Sequence, residues 1–541
     1  MTAKDYGVPK GLPKRTTSIC PECKRLITAT LSDRDGKVYI DKTCPEHGSF
    51  SDVYWSDSEL FLRAERYAYD GVGLVNRMDR STHGNVSVKI GGRSFGMLTC
   101  TALANIDLTN RCNMRCPICF ANANQSGYVY EPDFETIAKM LEMLRSEEPI
   151  KCTAVQFSGG EPTIYPRFID VIRKAKELGF AQIQAATNGI EFAKRPELLQ
   201  EAQDAGLNTI YLSFDGVSDD IYLQARDRKM MDVKLKVLEN LRKMEKHPSV
   251  VLVPTVVRGV NDHQIGDIIR FAMDNSDVIR AVNFQPVAFT GRITKEDLTK
   301  GRFTLPDLIK EEGKQTGFTT RDDWFPVPVV APISKLASLL MGENKVTFTT
   351  HPHCGIATYL FRDGSGKVTP MTRFIDAERL SREFFEIAEE MEITRAFKDM
   401  RIGPDHSNVK ARRRVRALGR VSVLLRILKL VNECIYEDKL PEGVTKKQFL
   451  TLMRSIMSDK SKETLAAFSW GMMMIGGMHF QDNYNYDVER VRRCGVHYAT
   501  PDLRVIPFCA YNGGPEYRAQ VESKFSVPLA EWKAKHGDEH C

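Results

Sequence analysis

The residues with the most chemistry in them are Cys112, Cys116 and Cys119, set in Asn110-Arg-Cys-Asn-Met-Arg-Cys-Pro-Ile-Cys-Phe120 as Cys-x3-Cys-x2-Cys. Three thiolates this close can hold three corners of a 4Fe-4S cube and leave one iron without a protein ligand. An open coordination position lets a cluster act on a bound molecule rather than only pass electrons. Structural zinc is the competing use of such cysteines, but zinc sites pair two Cys-x2-Cys halves or add His at set distances. No such fourth ligand stands near the triplet in the sequence.

A second group follows about forty residues later, in Ser158-Gly-Gly-Glu-Pro-Thr163. Gly159 and Gly160 let the backbone approach a ligand closely, and the Glu161 carboxylate can accept from an ammonium. Polar residues recur after later strand-like runs: Asn188 in Thr187-Asn-Gly189, Ser213 and Asp215 in Ser213-Phe-Asp-Gly216, and Gln285 and Arg292 after the last run; apolar Val257, in the segment Val256–Asn261 after the fifth run, could pack on a base. Each alone reads as a turn; their ordered recurrence reads as a ligand site. The triplet directly after a strand, followed by Gly-Gly-Glu, resembles the signature of radical S-adenosylmethionine (SAM) enzymes. In these enzymes the cofactor's amino and carboxylate groups chelate the open iron, and cleavage of a C–S bond releases a 5′-deoxyadenosyl radical. The resemblance assigns cofactor contacts to Phe120, Ser158, Gly159, Gly160 and Glu161, with Asn188 at the ribose and Ser213, Asp215 and Val257 farther along.

Further cysteines suggest two more metal sites. Cys20-Pro-Glu-Cys23 and Cys44-Pro-Glu-His47 flank a run that reads as a hairpin around Asp35-Gly36, a favoured tight-turn pair. Such knuckles form a zinc ribbon or a rubredoxin-like iron site. His47 is the nearest fourth ligand for this mononuclear Fe or Zn, and Cys100 is its rival. Four ligands leave no open position, so the role is structural or electron-relaying. Cys354, Cys494 and Cys509 stand beside Gly or Pro in polar turns; with Cys434 they suggest an auxiliary 4Fe-4S cluster. Cys434 follows an apolar helix and also fits ordinary packing. Cys152, inside a strand, reads as core and Cys541 as a free thiol.

The elements that must position these groups are α/β. Strand-like runs at Ala104–Thr109, Cys152–Ser158, Ala181–Ala186, Asn208–Phe214, Val250–Val257 and Ala281–Ala288 alternate with helical patterns, which signals parallel βα units. Asp133 is a good N-cap for the first helix, with Ile137, Leu141 and Leu144 on one face. Six such units predict a partial (β/α)6 barrel, with its chemistry at the C-terminal strand ends. The expected organisation is a metal knuckle at residues 15–67, with a helix around Ser58–Tyr67, a connector at 68–103, the barrel at 104–300, and an auxiliary-cluster and substrate-enclosing region at 301–541. Within the last, Trp324–Pro332 reads as an extended strap, because prolines fix an extended path. Val409–Val431, rich in Arg and Leu, fits either an anionic bilayer surface or an amphipathic helix with a solvated basic face. Trp470–Phe480, rich in Met and Gly, fits an adaptable apolar groove or a core helix.

An apolar fraction of 42%, a charged fraction of 27% and a net charge of +6 over 541 residues describe an ordinary globular chain, with no global case for nucleic-acid binding. The first residues lack the apolar core of a signal peptide and no run approaches a membrane span, so the expected setting is cytoplasmic and reducing, with possible peripheral contact to membrane. The knuckle, Tyr54-Trp-Ser-Asp57, the run from Leu103 to Asn113, Cys494-Gly-Val-His497 and Ile506–Asn512 together resemble the tetraether lipid synthase family, formerly grouped with class D radical methyltransferases. The likeness runs from about Thr17 to Asn512. It implies joining of lipid alkyl chains by C–C bond formation, a lipid substrate, a long apolar tunnel, and a reductant such as ferredoxin or flavodoxin. One departure is the single cysteine, Cys100, in Gly91–Cys100, where the family often carries several. The alternative activity is a radical methyltransferase or modifier of a small heterocycle such as a pterin.

Overall fold

The computed structural model describes residues 8–79, 84–293, 301–402, 409–456, 472–514 and 517–537. Two compact units divide the chain: Met1–Pro328 with Thr349–Ala357 and Ile475–Cys541, and Val329–Phe348 with Thr358–Met474. The region expected as one piece at 301–541 is thus shared between them.

The first unit is built on six neighbouring parallel strands: Leu103–Thr109, Ala154–Gly159, Gln182–Thr187, Thr209–Ser213, Ser249–Val253 and Ile279–Pro286. Strands covered on both faces are apolar along their length, and Leu103–Thr109 is buried at every position after the first. Pro254, with no N–H to donate, ends the fifth strand; Thr255–Val256 then resumes as a separate pairing with Gln285 and Pro286. The crossover helices include Phe134–Arg145, Phe168–Glu177, Pro196–Ala205, Met231–Arg242 and Ile265–Asp274. The first begins where Asp133 accepts from Thr136 N at 2.8 Å, and it buries Ile137, Leu141 and Leu144. This is the partial barrel that the alternation of patterns predicts.

Two strands from the far end of the sequence extend the sheet. Val496–Ala499 lies parallel to the first barrel strand, and Met472–Met478 lies beside the sixth. The Met-rich stretch is therefore a strand and not a helix; its alternating burial suits period-2 geometry. Trp470 and Cys541 lie outside the described residues. The knuckle is a four-stranded antiparallel sheet, Lys14–Ile19, Leu26–Arg34, Lys37–Cys44 and Gly48–Trp55. Its central hairpin turns at Asp35 and Gly36, with φ of 52° and 74°, the paired left-handed residues of a two-residue turn. Helix Ser58–Ala64 and a 3-10 turn, Glu65–Tyr67, follow.

The second unit has its own core, in which Phe361, Phe374, Phe384, Ile427, Leu430 and Phe449 are buried. Helix Val409–Glu433 contributes Ile427, Leu430 and Val431 to it and leaves Val421 and Leu425 exposed. The Pro-rich segment is not an extended strap. After the short strand Phe325–Pro326 it coils as Val327–Val330 and enters helix Ala331–Met341. Pro332 sits in that helix's first turn, where a missing N–H costs nothing.

Candidate active site

The cysteine loop leaves the first barrel strand at Asn110 and is held by its own backbone-directed amides. Asn124 accepts from Cys112 N at 3.0 Å and donates to the carbonyls of Cys112 at 2.6 Å and Met114 at 3.1 Å. Asn122 and Asn124 adopt φ of 50° and 63°, a region in which Asn is enriched. Arg292 donates to the carbonyls of Cys116 and Ala123, so it clamps the loop. Burial pushes the thiols of Cys112 and Cys116 up. At Cys116 the Arg226 guanidinium opposes that rise.

A cavity of about 260 Å³ is lined by Cys112, Cys116 and Cys119 together with Phe120, Ser158, Gly159, Gly160, Glu161, Asn188 and Ser213. Glu161 is buried; Oε1 accepts from the Thr163 and Thr187 hydroxyls at 2.6 and 2.7 Å, and Oε2 accepts from Asn188 N at 2.8 Å. Burial still raises its carboxyl. The two glycines are needed first for the protein's own backbone. A Cβ on Gly159 would meet Thr109 O at 2.2 Å, and one on Gly160 would meet Arg111 O at 2.1 Å. Gly160 N and Glu161 N donate to those same carbonyls, at 2.7 and 2.9 Å. The Gly-Gly-Glu turn is thereby fastened to the start of the cysteine loop.

Two residues expected to contact the cofactor do not line this cavity. Asp215 is fully buried and does not line the cavity: both its oxygens accept from Arg226, at 2.7 and 2.8 Å. Arg226 is the group that faces the cavity, and it also donates to Ile118 O at 3.0 Å. Val257 is likewise absent from the lining, because its N–H is turned to Asn261 Oδ1 at 2.8 Å; Thr255 takes that place on the wall. The Asn188 amide donates to Asn113 Oδ1 at 2.7 Å and accepts from Ile190 N at 2.9 Å. Sequence spacing missed Arg226, which sits at the end of helix Asp219–Arg226. It also missed Tyr211, Asn105 and Gln156 on the inner face of the barrel.

At the knuckle, the ligand atoms of Cys20, Cys23, Cys44 and His47 all lie within 4.8 Å of one another. Cys23 and Cys44 sulfurs are 3.9 Å apart, and His47 Nδ1 is 3.5 Å from Cys44 Sγ. Two sulfurs about 2.3 Å from a tetrahedral ion would stand about 3.8 Å apart, so the donor set fits one metal ion. Its hydrogen bond with His47 draws the Cys44 thiol down to about 6. Cys100 belongs elsewhere, buried in the vicinity of Cys152; His47 fills the fourth position.

Cys354, Cys494 and Cys509 lie in one neighbourhood: Cys494 feels the charge of Cys509 and Cys354, and Cys509 that of Cys354. Arg490 Nε donates to Cys354 Sγ at 3.3 Å and Gln481 N to Cys509 Sγ at 3.4 Å. Around them, buried Arg490 Nη1 and both ring nitrogens of His479 have no partner. Cys434 is packed in the second unit's apolar core, its N–H bonded to Leu430 O at 2.9 Å, directly after helix Val409–Glu433.

Residues 106–272 match the Radical SAM superfamily and residues 12–56 match the HMPTM N-terminal zinc ribbon domain. The chain is 47% identical over 532 residues to 7,8-dihydro-6-hydroxymethylpterin dimethyltransferase of Methanocaldococcus jannaschii, covering 97% of this chain and 98% of that one. The chain belongs to this radical SAM family. A GTP 3′,8-cyclase of Clostridium acetobutylicum is 23% identical over 251 residues, 46% of this chain and 73% of its own. The structure of Streptococcus suis SuiB bound to S-adenosylmethionine aligns with 40% of this chain and 47% of its own, at TM-score 0.33 and 17% identity.

Membership in the radical SAM superfamily carries the two cofactors, S-adenosylmethionine and a 4Fe-4S cluster, and the zinc-ribbon match agrees with the Cys/His group. It also makes the chain an enzyme that needs a reductant. The expected joining of lipid alkyl chains is overturned, and with it the ground for a lipid substrate. The relative that spans nearly the whole chain bears the name of a pterin dimethyltransferase, not of a lipid synthase. The segments that carry the lipid resemblance (the knuckle, Tyr54–Asp57, Leu103–Asn113, Cys494–His497 and Ile506–Asn512) do not fix the substrate. Among the described residues no helix is long and apolar enough to cross a membrane.

Proposed function

We propose that this radical SAM enzyme is a methyltransferase acting on a reduced pterin. The observation that carries this reading is the near end-to-end relationship to a pterin dimethyltransferase, at 47% identity. The cavity accommodates it, since within a mostly apolar wall Asn105, Gln156, Tyr211 and Gln285 offer amide and hydroxyl groups to the polar edge of a heterocycle.

In this reading Cys112, Cys116 and Cys119 hold the catalytic cluster, and Cys354, Cys494 and Cys509 hold an auxiliary one. Bound together, the catalytic cluster and S-adenosylmethionine supply a radical able to take hydrogen from an unactivated carbon. The chain's own residues supply placement. Glu161, oriented by two threonine hydroxyls and the Asn188 N–H, keeps free lone pairs on Oε2 to accept from the cofactor's ammonium. Arg226, locked by Asp215, fixes the Cys116–Ile118 side of the loop. Phe120, Phe480 and Phe508 line the cavity, Phe480 stacked on Phe508 and Phe120 tilted against it, an apolar wall that disfavours water and stray hydrogen donors beside the reacting carbon. Electrons come from a ferredoxin- or flavodoxin-class reductant.

The test is anaerobic reconstitution with iron, sulfide, S-adenosylmethionine and a low-potential reductant. Formation of 5′-deoxyadenosine should accelerate when 7,8-dihydro-6-hydroxymethylpterin is added. A rate indifferent to the pterin would count against it as substrate.

A further inference from the structure

A closed βα barrel ordinarily fills its interior with Val, Ile and Leu. Here the barrel interior carries Asn105, Gln156, Tyr211 and Gln285, all on the cavity wall. Gln156 and Tyr211 stand two positions before Ser158 and Ser213 on their strands, hence on the same face and one pleat deeper. On one side Gln184 donates to Gln156 at 2.6 Å and Gln156 to Asn105 at 2.7 Å, a row of amides running across neighbouring strands. On the other side the Tyr211 hydroxyl oxygen accepts from the amides of Asn283 and Gln285, the latter at 3.3 Å.

That second arrangement has a chemical direction. A phenol oxygen that receives two N–H groups has its lone pairs engaged, and its own hydrogen is left to donate. The Gln285 amide nitrogen is spent on Tyr211, so its Oε1 is left to accept; among the described residues nothing donates to it. A donor and an acceptor therefore stand side by side on the cavity wall, backed by buried Asn283. The complementary ligand edge is a ring carbonyl next to a ring N–H, the lactam of a nitrogen heterocycle.

We propose that Tyr211 and Gln285 determine specificity by reading such a lactam edge, with Tyr211 O–H donating to the ring carbonyl and Gln285 Oε1 accepting from the ring N–H. Asn283 is a positioning residue that aims the Tyr211 hydroxyl. The proposal rests on the reading of the substrate as a pterin and deepens it by naming the side chains that recognise the ring. A buried site built to hydrogen-bond a group rejects an analogue lacking it far more strongly than an apolar pocket rejects a change of size.

The experiment is titration calorimetry on the full reconstituted chain with S-adenosylmethionine bound. Its two probes are 7,8-dihydro-6-hydroxymethylpterin and the 2,4-diamino counterpart, in which the lactam is gone. The wild type should prefer the lactam by at least about tenfold. Tyr211→Phe and Gln285→Met should each weaken pterin binding by about tenfold and erase most of that preference, while S-adenosylmethionine affinity stays within about twofold. The binding stoichiometry reports the folded fraction, and the preference is a ratio within one sample, so partial misfolding does not mimic the effect. If both variants keep wild-type affinity and preference, the assignment of the pair is overturned and the pterin reading stands. If the wild type binds neither pteridine, both fall together.

Discussion

Arg226 shows how one side chain links the barrel to the cysteine loop. Its partner Asp215 is fully buried, and the guanidinium spans from that carboxylate to Ile118 O. Removing one member of a buried ion pair leaves the other uncompensated, at a cost of about 3–5 kcal/mol. Asp215→Asn should therefore lower the denaturant midpoint substantially and reduce the iron retained after reconstitution, read by chemical denaturation and iron analysis. An unchanged midpoint would mean that water already satisfies Arg226. At this scale the sequence was partly legible. Polar residues at strand ends were recognisable from spacing, and Ser158, Glu161, Asn188 and Ser213 do line one cavity. Asp215 and Val257 do not line it. Spacing says which residues reach a strand end but not which of them is consumed by a partner, as Asp215 is by Arg226 and Val257 N–H by Asn261.

Whole elements were more readable than their contacts. The six strands follow from short β-branched runs, and the first helix from the Asp133 cap and the spacing of Ile137, Leu141 and Leu144. Asp133→Ala should cost about 1 kcal/mol of local stability, seen as roughly fivefold faster hydrogen exchange in the helix's first turn. Hydrogen bonds from Thr136 hold the Asp133 carboxyl below its ordinary value of 3.8. A depressed carboxylate stabilises the fold above its unfolded pKa, and that contribution is lost as pH falls through the folded one. The exchange difference between wild type and variant should accordingly shrink below pH 3.8. Misreadings at this scale share one cause. The Pro-rich and Met-rich segments were judged by composition, whereas Pro332 falls in a helix's first turn and Met472–Met478 pairs with a barrel strand. Both outcomes depend on neighbours that local sequence does not name.

For the molecule as a whole, the return of Val496–Ala499 and Met472–Met478 to the barrel sheet was beyond local patterns, since each partner strand lies hundreds of residues away. The substrate was misjudged for a related reason. The cysteine triplet and Gly-Gly-Glu report cofactor chemistry common to a superfamily, and the knuckle and C-terminal segments behind the lipid resemblance do not by themselves name a substrate. On the reading proposed above, selectivity lies with inward side chains such as Tyr211 and Gln285. In a parallel strand both faces are covered, so an inward polar residue leaves no periodic trace that separates a pterin site from a lipid tunnel. The claim that joins these scales is methyl transfer to a pterin ring held within reach of the cysteine loop. Mass spectrometry of 7,8-dihydro-6-hydroxymethylpterin after incubation with the reduced, reconstituted enzyme, S-adenosylmethionine and a separate one-carbon donor for the transferred methyl group addresses it most directly. Methylated pterin, formed only when Cys112, Cys116 and Cys119 are intact, is the predicted result. Recovery of the pterin unmodified, in samples where S-adenosylmethionine has been cleaved to 5′-deoxyadenosine and a methyl donor is in supply, would contradict it.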